Sequence, residues 1–265
     1  MFSLFGPRLP IDADELEFQL ATFKWLQQQF GAVGDAPLVL PTPEFFPSVR
    51  NGRADPRELF DDVRRAAGME EWPCRLEAGA AERPIDAGNA HLLRHEGAPP
   101  PCGTFRVEEA NGGRQAVITY NPSMTDDPVG LAATFAHELG HYLMATSSGT
   151  PPGGWDLHEL HTDILAVYLG FGIFLANSAR NFSQFQSGGQ SGWSSRWQGY
   201  LSEGALVTAL VIRERLAGRE AAAAAPFLKD YLRSDLRKAD AALRKLHPDL
   251  ARAVAAVDLA EYGSA

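Results

Sequence analysis

The amino-acid sequence predicts an α+β fold, with a small sheet set among a larger number of helices. Three observations carry this. Gly103 to Glu109 and Gln115 to Tyr120 read as strands around Asn111-Gly112-Gly113, a hairpin signal. Several longer segments repeat apolar residues at helical spacing. The composition, 45% hydrophobic and 22% charged over 265 residues, is that of an ordinary globular chain and excludes a disordered or rod-like one.

Leu16, Leu20, Phe23, Leu26 and Phe30 recur on one helical face, so 12–30 is read as an amphipathic helix that Asp12 or Asp14 caps. Five prolines between Pro37 and Pro56 make the next stretch extended or looped, because proline removes a donor and pushes its predecessor out of the helical region. A short helix is expected over Pro56 to Gly68. The stretch 74–102 is ambiguous and ends at Pro99-Pro100-Pro101, before the hairpin. After the polar turn Asn121 to Pro128, a helix is expected over Val129 to Thr146, with Leu131, Phe135, Leu139 and Tyr142 on one face. A Gly- and Pro-rich loop, Ser147 to Gly154, leads to a second, long helix over Asp156 to Ala176. Residues 177–198, rich in Ser, Gln, Gly and Asn, read as an irregular loop. A helix over about 200–217 follows, then Ala-rich helical sequence from 220 to 262, interrupted near Pro226 and Pro248.

The chemistry sits in the first of the two central helices. His137-Glu138-Leu139-Gly140-His141 is an HEXXH motif. Histidines at i and i+4 share a helical face and can hold one zinc ion, with the glutamate beside them as general base. The flanking Thr134, Phe135, Ala136, Tyr142 and Leu143 are uncharged. The motif therefore lies in a buried helix, where polar groups cost free energy unless they are paired.

A catalytic zinc takes a third protein ligand. Met144 and Ser147 stand where a metzincin would carry Gly and His, so that continuation fails. The candidates on the following helix are Asp156, His158, Glu159, His161 and Asp163. If the two helices run antiparallel across a short loop, a rise of about 1.5 Å per residue sets Glu159 nearly level with His141, and Asp163 near His137. Glu159 is then the third ligand, and Asp163 accepts the free ring N–H of a ligating histidine. Glu159, Asp163, Ala166 and Gly170 form a stripe of small or acidic residues that lets the helices approach. A second reading of Glu159 stays open: Asp156-Leu157-His158-Glu159 fits a capping box, with Trp155 and Leu160 as its hydrophobic staple. His158 or His161 remain alternative ligands or substrate contacts.

His137-Glu138-x-x-His141 followed by Glu159-x-x-x-Asp163 resembles the gluzincin branch of zinc metallopeptidases, the thermolysin-like arrangement. The resemblance covers roughly 115–176, under a quarter of the chain. It implies a zincin-like domain, one zinc ion per chain, a Glu138-activated water and hydrolysis of peptide bonds. It also implies that Gln115 to Tyr120 is the sheet edge along which an extended peptide lies. His158 stands where thermolysin-like enzymes usually have Asn. Tyr168, Tyr200 and His161 are candidates to stabilise the oxyanion. The rival reading is a non-catalytic zincin-like protein, its metal structural or absent, that acts as a protein-interaction module.

Cys74, His91, His95 and Cys102 offer three readings: a second, structural zinc site, a cysteine covering the catalytic zinc, or simply packed thiols. A formal charge of −9 argues against a broad nucleic-acid surface. No secretory signal is expected, because acidic residues follow Leu9 at once. The apolar run Ile164 to Ala176 is shorter than the ~20 residues that span a bilayer. The expectation is a cytoplasmic hydrolase without membrane attachment, acting on a peptide or protein. The basic residues Arg213, Arg215, Arg219, Lys229, Arg233, Arg237, Lys238, Arg244 and Lys245 alternate with acids and read as a solvated face, or as a docking surface for a partner protein. The chain is read as a single domain, with an N-terminal helical and loop part (12–100), a catalytic core (103–176), the irregular loop (177–198) and C-terminal helices (199–265).

Overall fold

The computed structural model describes residues 8–79, 103–110, 113–184 and 201–262. The first helices start where the sequence supplies acidic caps. Helix α1 spans Ala13–Phe30, and the Asp12 carboxylate accepts from the Glu15 backbone N–H. Helix α2 spans Pro56–Ala66; Asp55 accepts from the N–H groups of Arg57 and Glu58, and Pro56 occupies the first turn, where its missing donor costs nothing.

Three strands follow: β1 (Cys74–Ala78), β2 (Gly103–Ala110) and β3 (Gly113–Tyr120). Strands β2 and β3 pair antiparallel, as the hairpin signal predicts, while β1 pairs parallel with β3, giving the order β1-β3-β2. This corrects one expectation. Gln115 to Tyr120 lies in the central strand, because β1, which the sequence left ambiguous, takes its other side. Among the described residues, the edge on the hairpin side is β2. Leu76, Phe105 and Ile118 are in register and face the core. On the outer face Arg106 bonds Glu77 at 2.6 Å and Glu108 at 2.8 Å, and Arg75 bonds Glu108 at 2.9 Å.

Helix α3 spans Pro128–Met144, with Asp127 accepting from Gly130 N–H. The Gly- and Pro-rich loop then leads to a 3-10 turn, Trp155–Leu157, and helix α4, His158–Ala166. The long helix expected over 156–176 is broken. A wide turn, Val167–Phe171, contains Gly170 at φ 109°, and helix α5 restarts at Gly172 and runs to Gln184, into the stretch expected to be a loop. The break has a packing cause. Gly170 lies so close to the loop after α1 that a Cβ would stand 2.7 Å from the Pro37 carbonyl oxygen. Its own carbonyl accepts from Val39 N–H at 3.1 Å. By length and composition Trp155–Ala179 could cross a membrane, but 89% of its most apolar window is buried inside the protein.

Helix α6 spans Glu203–Leu216, capped by Ser202, and is buried over ten consecutive positions, Ala205 to Glu214. Helices α7 (Asp230–Leu246) and α8 (Leu250–Ala256) follow, separated near Pro248 as expected. Arg213 is not on a solvated face. It is fully buried, ion-paired with Glu214, and donates to the carbonyls of Ala36 and Pro37 at 2.8 Å and of Tyr168 at 3.4 Å. Arg219 closes the same network on Glu214 at 3.0 Å. On α7 the charges do pair at the surface: Arg233 with Asp230, Lys238 with Asp235, and Arg244 with Asp240. Side chains from α1 through α8 join one hydrophobic cluster in which Phe135, Leu139, Ile164 and Phe171 are fully buried.

Candidate metal centre

Helices α3 and α4 lie side by side in the core, and their polar residues meet in one place. His137 Nε2 stands 3.1 Å from Glu159 Oε2, and His141 Nε2 stands 3.5 Å from the same oxygen. The two imidazoles meet edge to face, centroids 4.7 Å apart. One ligand atom from each of His137, His141 and Glu159 falls within 4.8 Å of the others, and among the described residues no further group of this kind occurs. Two ligands bound tetrahedrally at ~2.05 Å stand about 3.3 Å apart. The distances from Glu159 Oε2 to the two nitrogens bracket that value. Two imidazole nitrogens and a carboxylate oxygen form a donor set that suits zinc.

The cap reading of Glu159 does not match the helix end. Helix α4 begins at His158 without a side-chain cap, and Trp155, the expected staple, is exposed. Glu159 turns inward to the two histidines, with Oε1 held by His158 Nε2 at 3.1 Å. The ring of His158 is half exposed, and its Nδ1 lies 3.0 Å from the Trp155 carbonyl oxygen.

Asp163 lies one turn further along α4, where the spacing argument put it. Its Oδ1 is 2.9 Å from His137 Nδ1, and its Oδ2 accepts from Leu201 N–H at 2.8 Å. The buried carboxylate thus uses one oxygen on the histidine and the other on the chain entering α6. Thr162, which the sequence reading passed over, stands 3.3 Å from His141 Nδ1. Nothing in its local pattern sets it apart, and only the tertiary register brings it to the ring.

Glu138 is 4% exposed, and its Oε2 has no hydrogen-bond partner among the described residues. Burial pushes its carboxyl up to about 7 against the pull of His137. An orphaned carboxylate oxygen in the core is costly for a structural residue. It is the property a proton acceptor needs. Strand β2 comes directly against it: a Cβ on Gly103 would stand 2.9 Å from Glu138 Oε1 and 2.7 Å from Thr134 Cγ2, so a side chain there would displace one or both of them. Phe105, two residues along β2, stacks toward His141 at 6.5 Å.

The charges respond to one another. Burial disfavours a charge on His137, but the bonds to Asp163 and Glu159 outweigh it and raise the ring to about 10. Burial also opposes charge on Glu159, yet the two histidines hold its carboxyl well below the usual range. Burial lowers His141.

Other sequence candidates fall elsewhere. His161 is on the opposite face of α4, buried against Phe18 and Trp25, with Nδ1 3.3 Å from Thr22 Oγ1; it is neither ligand nor substrate contact. The Tyr168 hydroxyl donates to the Gly31 carbonyl at the end of α1, away from the histidines, and cannot serve an oxyanion. Tyr200, His91, His95 and Cys102 lie outside the described residues; Cys74 is a free, half-buried thiol raised by burial. Gly170 serves a different approach, against Pro37, Val39 and Arg213. Helices α3 and α4 approach closely at Gly140, against Thr162. Comparison of the chain with family models, curated proteins and solved structures found no match to any of them.

Proposed function

We propose that this chain is a zinc-dependent metallopeptidase. The observation that carries the reading is the convergence of His137 Nε2, His141 Nε2 and Glu159 Oε2 beside a buried carboxylate oxygen, Glu138 Oε2, that no other group among the described residues engages. His137, His141 and Glu159 would hold the ion, and Asp163 would hold the His137 ring in place through Nδ1. A zinc ion in such a site acts as a Lewis acid that polarises a carbonyl and lowers the pKa of water. Glu138 takes a proton on Oε2 from the attacking water and returns it to the leaving amine. Among the described residues strand β2 is the sheet edge beside Glu138, so an extended substrate chain is expected to add there rather than along β3.

The test is a zinc determination joined to an assay on casein and a fluorogenic peptide library. The reading expects about one zinc per chain and hydrolysis that chelators abolish. It also expects Glu138→Gln to keep zinc while losing hydrolysis. A chain that holds zinc tightly and cleaves nothing would favour the non-catalytic reading. One that holds no zinc would end the metalloenzyme reading.

A further inference from the structure

Asp163 accounts for the His137 ring, but the His141 ring needs its own restraint. An imidazole ligand must present a lone pair, and which nitrogen presents it depends on what the other nitrogen bonds. The Thr162 hydroxyl donates to the His158 carbonyl oxygen at 2.8 Å. A hydroxyl carries a single hydrogen. Its 3.3 Å contact with His141 Nδ1 is therefore one in which the hydroxyl oxygen accepts, and Nδ1 carries the hydrogen. Neutral His141 bonded in this way bears its lone pair on Nε2, the atom a metal ion would meet, whereas without an ion Glu159 Oε2 competes as an acceptor for a hydrogen on Nε2.

The same contact explains a residue inside the HEXXH motif. Gly140 sits against Thr162 so closely that a Cβ would meet Thr162 Cγ2 at 3.0 Å and the Thr162 carbonyl oxygen at 3.3 Å. The second obstacle is backbone and cannot swing aside. A side chain at 140 would lift α4 from α3 by a few tenths of an ångström, enough to break a bond already at 3.3 Å.

We propose that Thr162 is a positioning residue for the metal centre. Its hydroxyl relays from the His158 carbonyl to His141 and fixes the tautomer that presents Nε2, and Gly140 provides the approach the relay needs. The proposal rests on the metal reading above. The bland alternative is a threonine that bonds back along its own helix, a common habit with no bearing on a ligand.

Two substitutions separate these. Thr162→Val keeps the shape packed against Gly140 and removes the hydroxyl. Thr162→Ser keeps the hydroxyl and removes the methyl. Zinc affinity, measured by competition with a chromophoric chelator, should fall about 10–100-fold in the Val variant, the usual effect of losing the partner of a ligand. It should stay near wild type in the Ser variant. Gly140→Ala should weaken zinc in the same direction as Val. In metal-free protein at pH 8, nitrogen NMR should show the Nδ1–H tautomer of His141 more populated in wild type and Ser than in Val, where Glu159 Oε2 is left as the acceptor for a hydrogen on Nε2. Equal affinities in wild type and Val, or equal losses in Val and Ser, would overturn the assignment. If wild type takes up no zinc, the metal reading fails, and the tautomer comparison still decides whether Thr162 sets the His141 ring.

Discussion

Replacing Glu159 by Gln gives the sharpest test of the third ligand. The change alters one atom and one charge. It keeps the length of a side chain whose Oε2 lies 3.1 Å and 3.5 Å from the two imidazole nitrogens. An amide is a poor zinc ligand, so the variant is left with two histidines. Losing the hydrogen-bond partner of a ligand costs ~10–100-fold in affinity, and losing a ligand itself should cost at least the upper figure. Zinc supplied at 100 times the wild-type dissociation constant stabilises the folded chain by ~2.7 kcal/mol. A domain of this size gains roughly 2–4 °C per kcal/mol, so wild type should melt roughly 5–10 °C higher with zinc than without. At the same zinc concentration a hundredfold weaker site gains only about 0.4 kcal/mol, a shift of less than ~2 °C. Each protein is compared with its own metal-free form, so any change in baseline stability drops out. Differential scanning fluorimetry over a zinc titration reads the result. A Gln variant with the full wild-type shift would refute the reasoning and move the third ligand elsewhere.

Glu138→Gln should retain zinc, measured by metal analysis, and lose about 10²–10⁴-fold in hydrolysis, because only proton transfer is removed. Asp163→Asn should weaken zinc about 10–100-fold in the chelator competition. Whichever way the amide turns, its NH₂ faces either His137 Nδ1–H or Leu201 N–H, both donors. His161 should make the fold acid-sensitive. Burial lowers its pKa to about 4, from an ordinary 6.5, so the unfolded chain binds the proton more readily. Its contribution is present above about pH 6.5 and is lost as pH falls toward 4, amounting to about 3 kcal/mol by linkage. His161→Leu should flatten the dependence of urea-measured stability on pH over that window. An unchanged slope would show that the ring is accommodated in its charged form.

Much of the site was legible because it depends on helical spacing alone. His137 and His141 fall on one face whatever surrounds them, and Glu159 and Asp163 follow from an antiparallel helix pair of roughly known length. What was not legible depends on tertiary register. Thr162 looks like any threonine until α4 is docked at Gly140. Strand β1 is five residues of mixed polarity, Cys74–Ala78, and only pairing with β3 makes it a strand. That pairing also turned the expected edge into the sheet centre. Gly170 sits in an apolar run that reads as continuous helix, since a lone glycine does not announce a break. Its conformation is dictated by the loop after α1. Arg213 and Glu214 looked like surface charges because adjacent opposite charges on a helix usually are. Here the carbonyls of Ala36, Pro37 and Tyr168 need donors, and the guanidinium supplies them.

The Arg213 network has a consequence for the order in which the chain can assemble. Its bonds to Ala36 and Pro37 join residues 177 and 176 positions apart. Gln19 likewise donates to Ala205 across 186 positions, and Lys24 to Ala255 across 231. Helix α1 leaves the ribosome before α6 and α8 and waits for them before it is covered. Contacts of such separation are slow to form, because the long loop must close before they reward it. Asp163 takes part as well, since the partner of its second oxygen is Leu201. The stretch from β2 to α4 is therefore not a portable unit. A nascent chain that has exposed only as far as α5 holds both histidines and Glu159, yet lacks the residues that steady Asp163 and seal α1. On the metal reading, zinc affinity should arise late, after synthesis has passed α6.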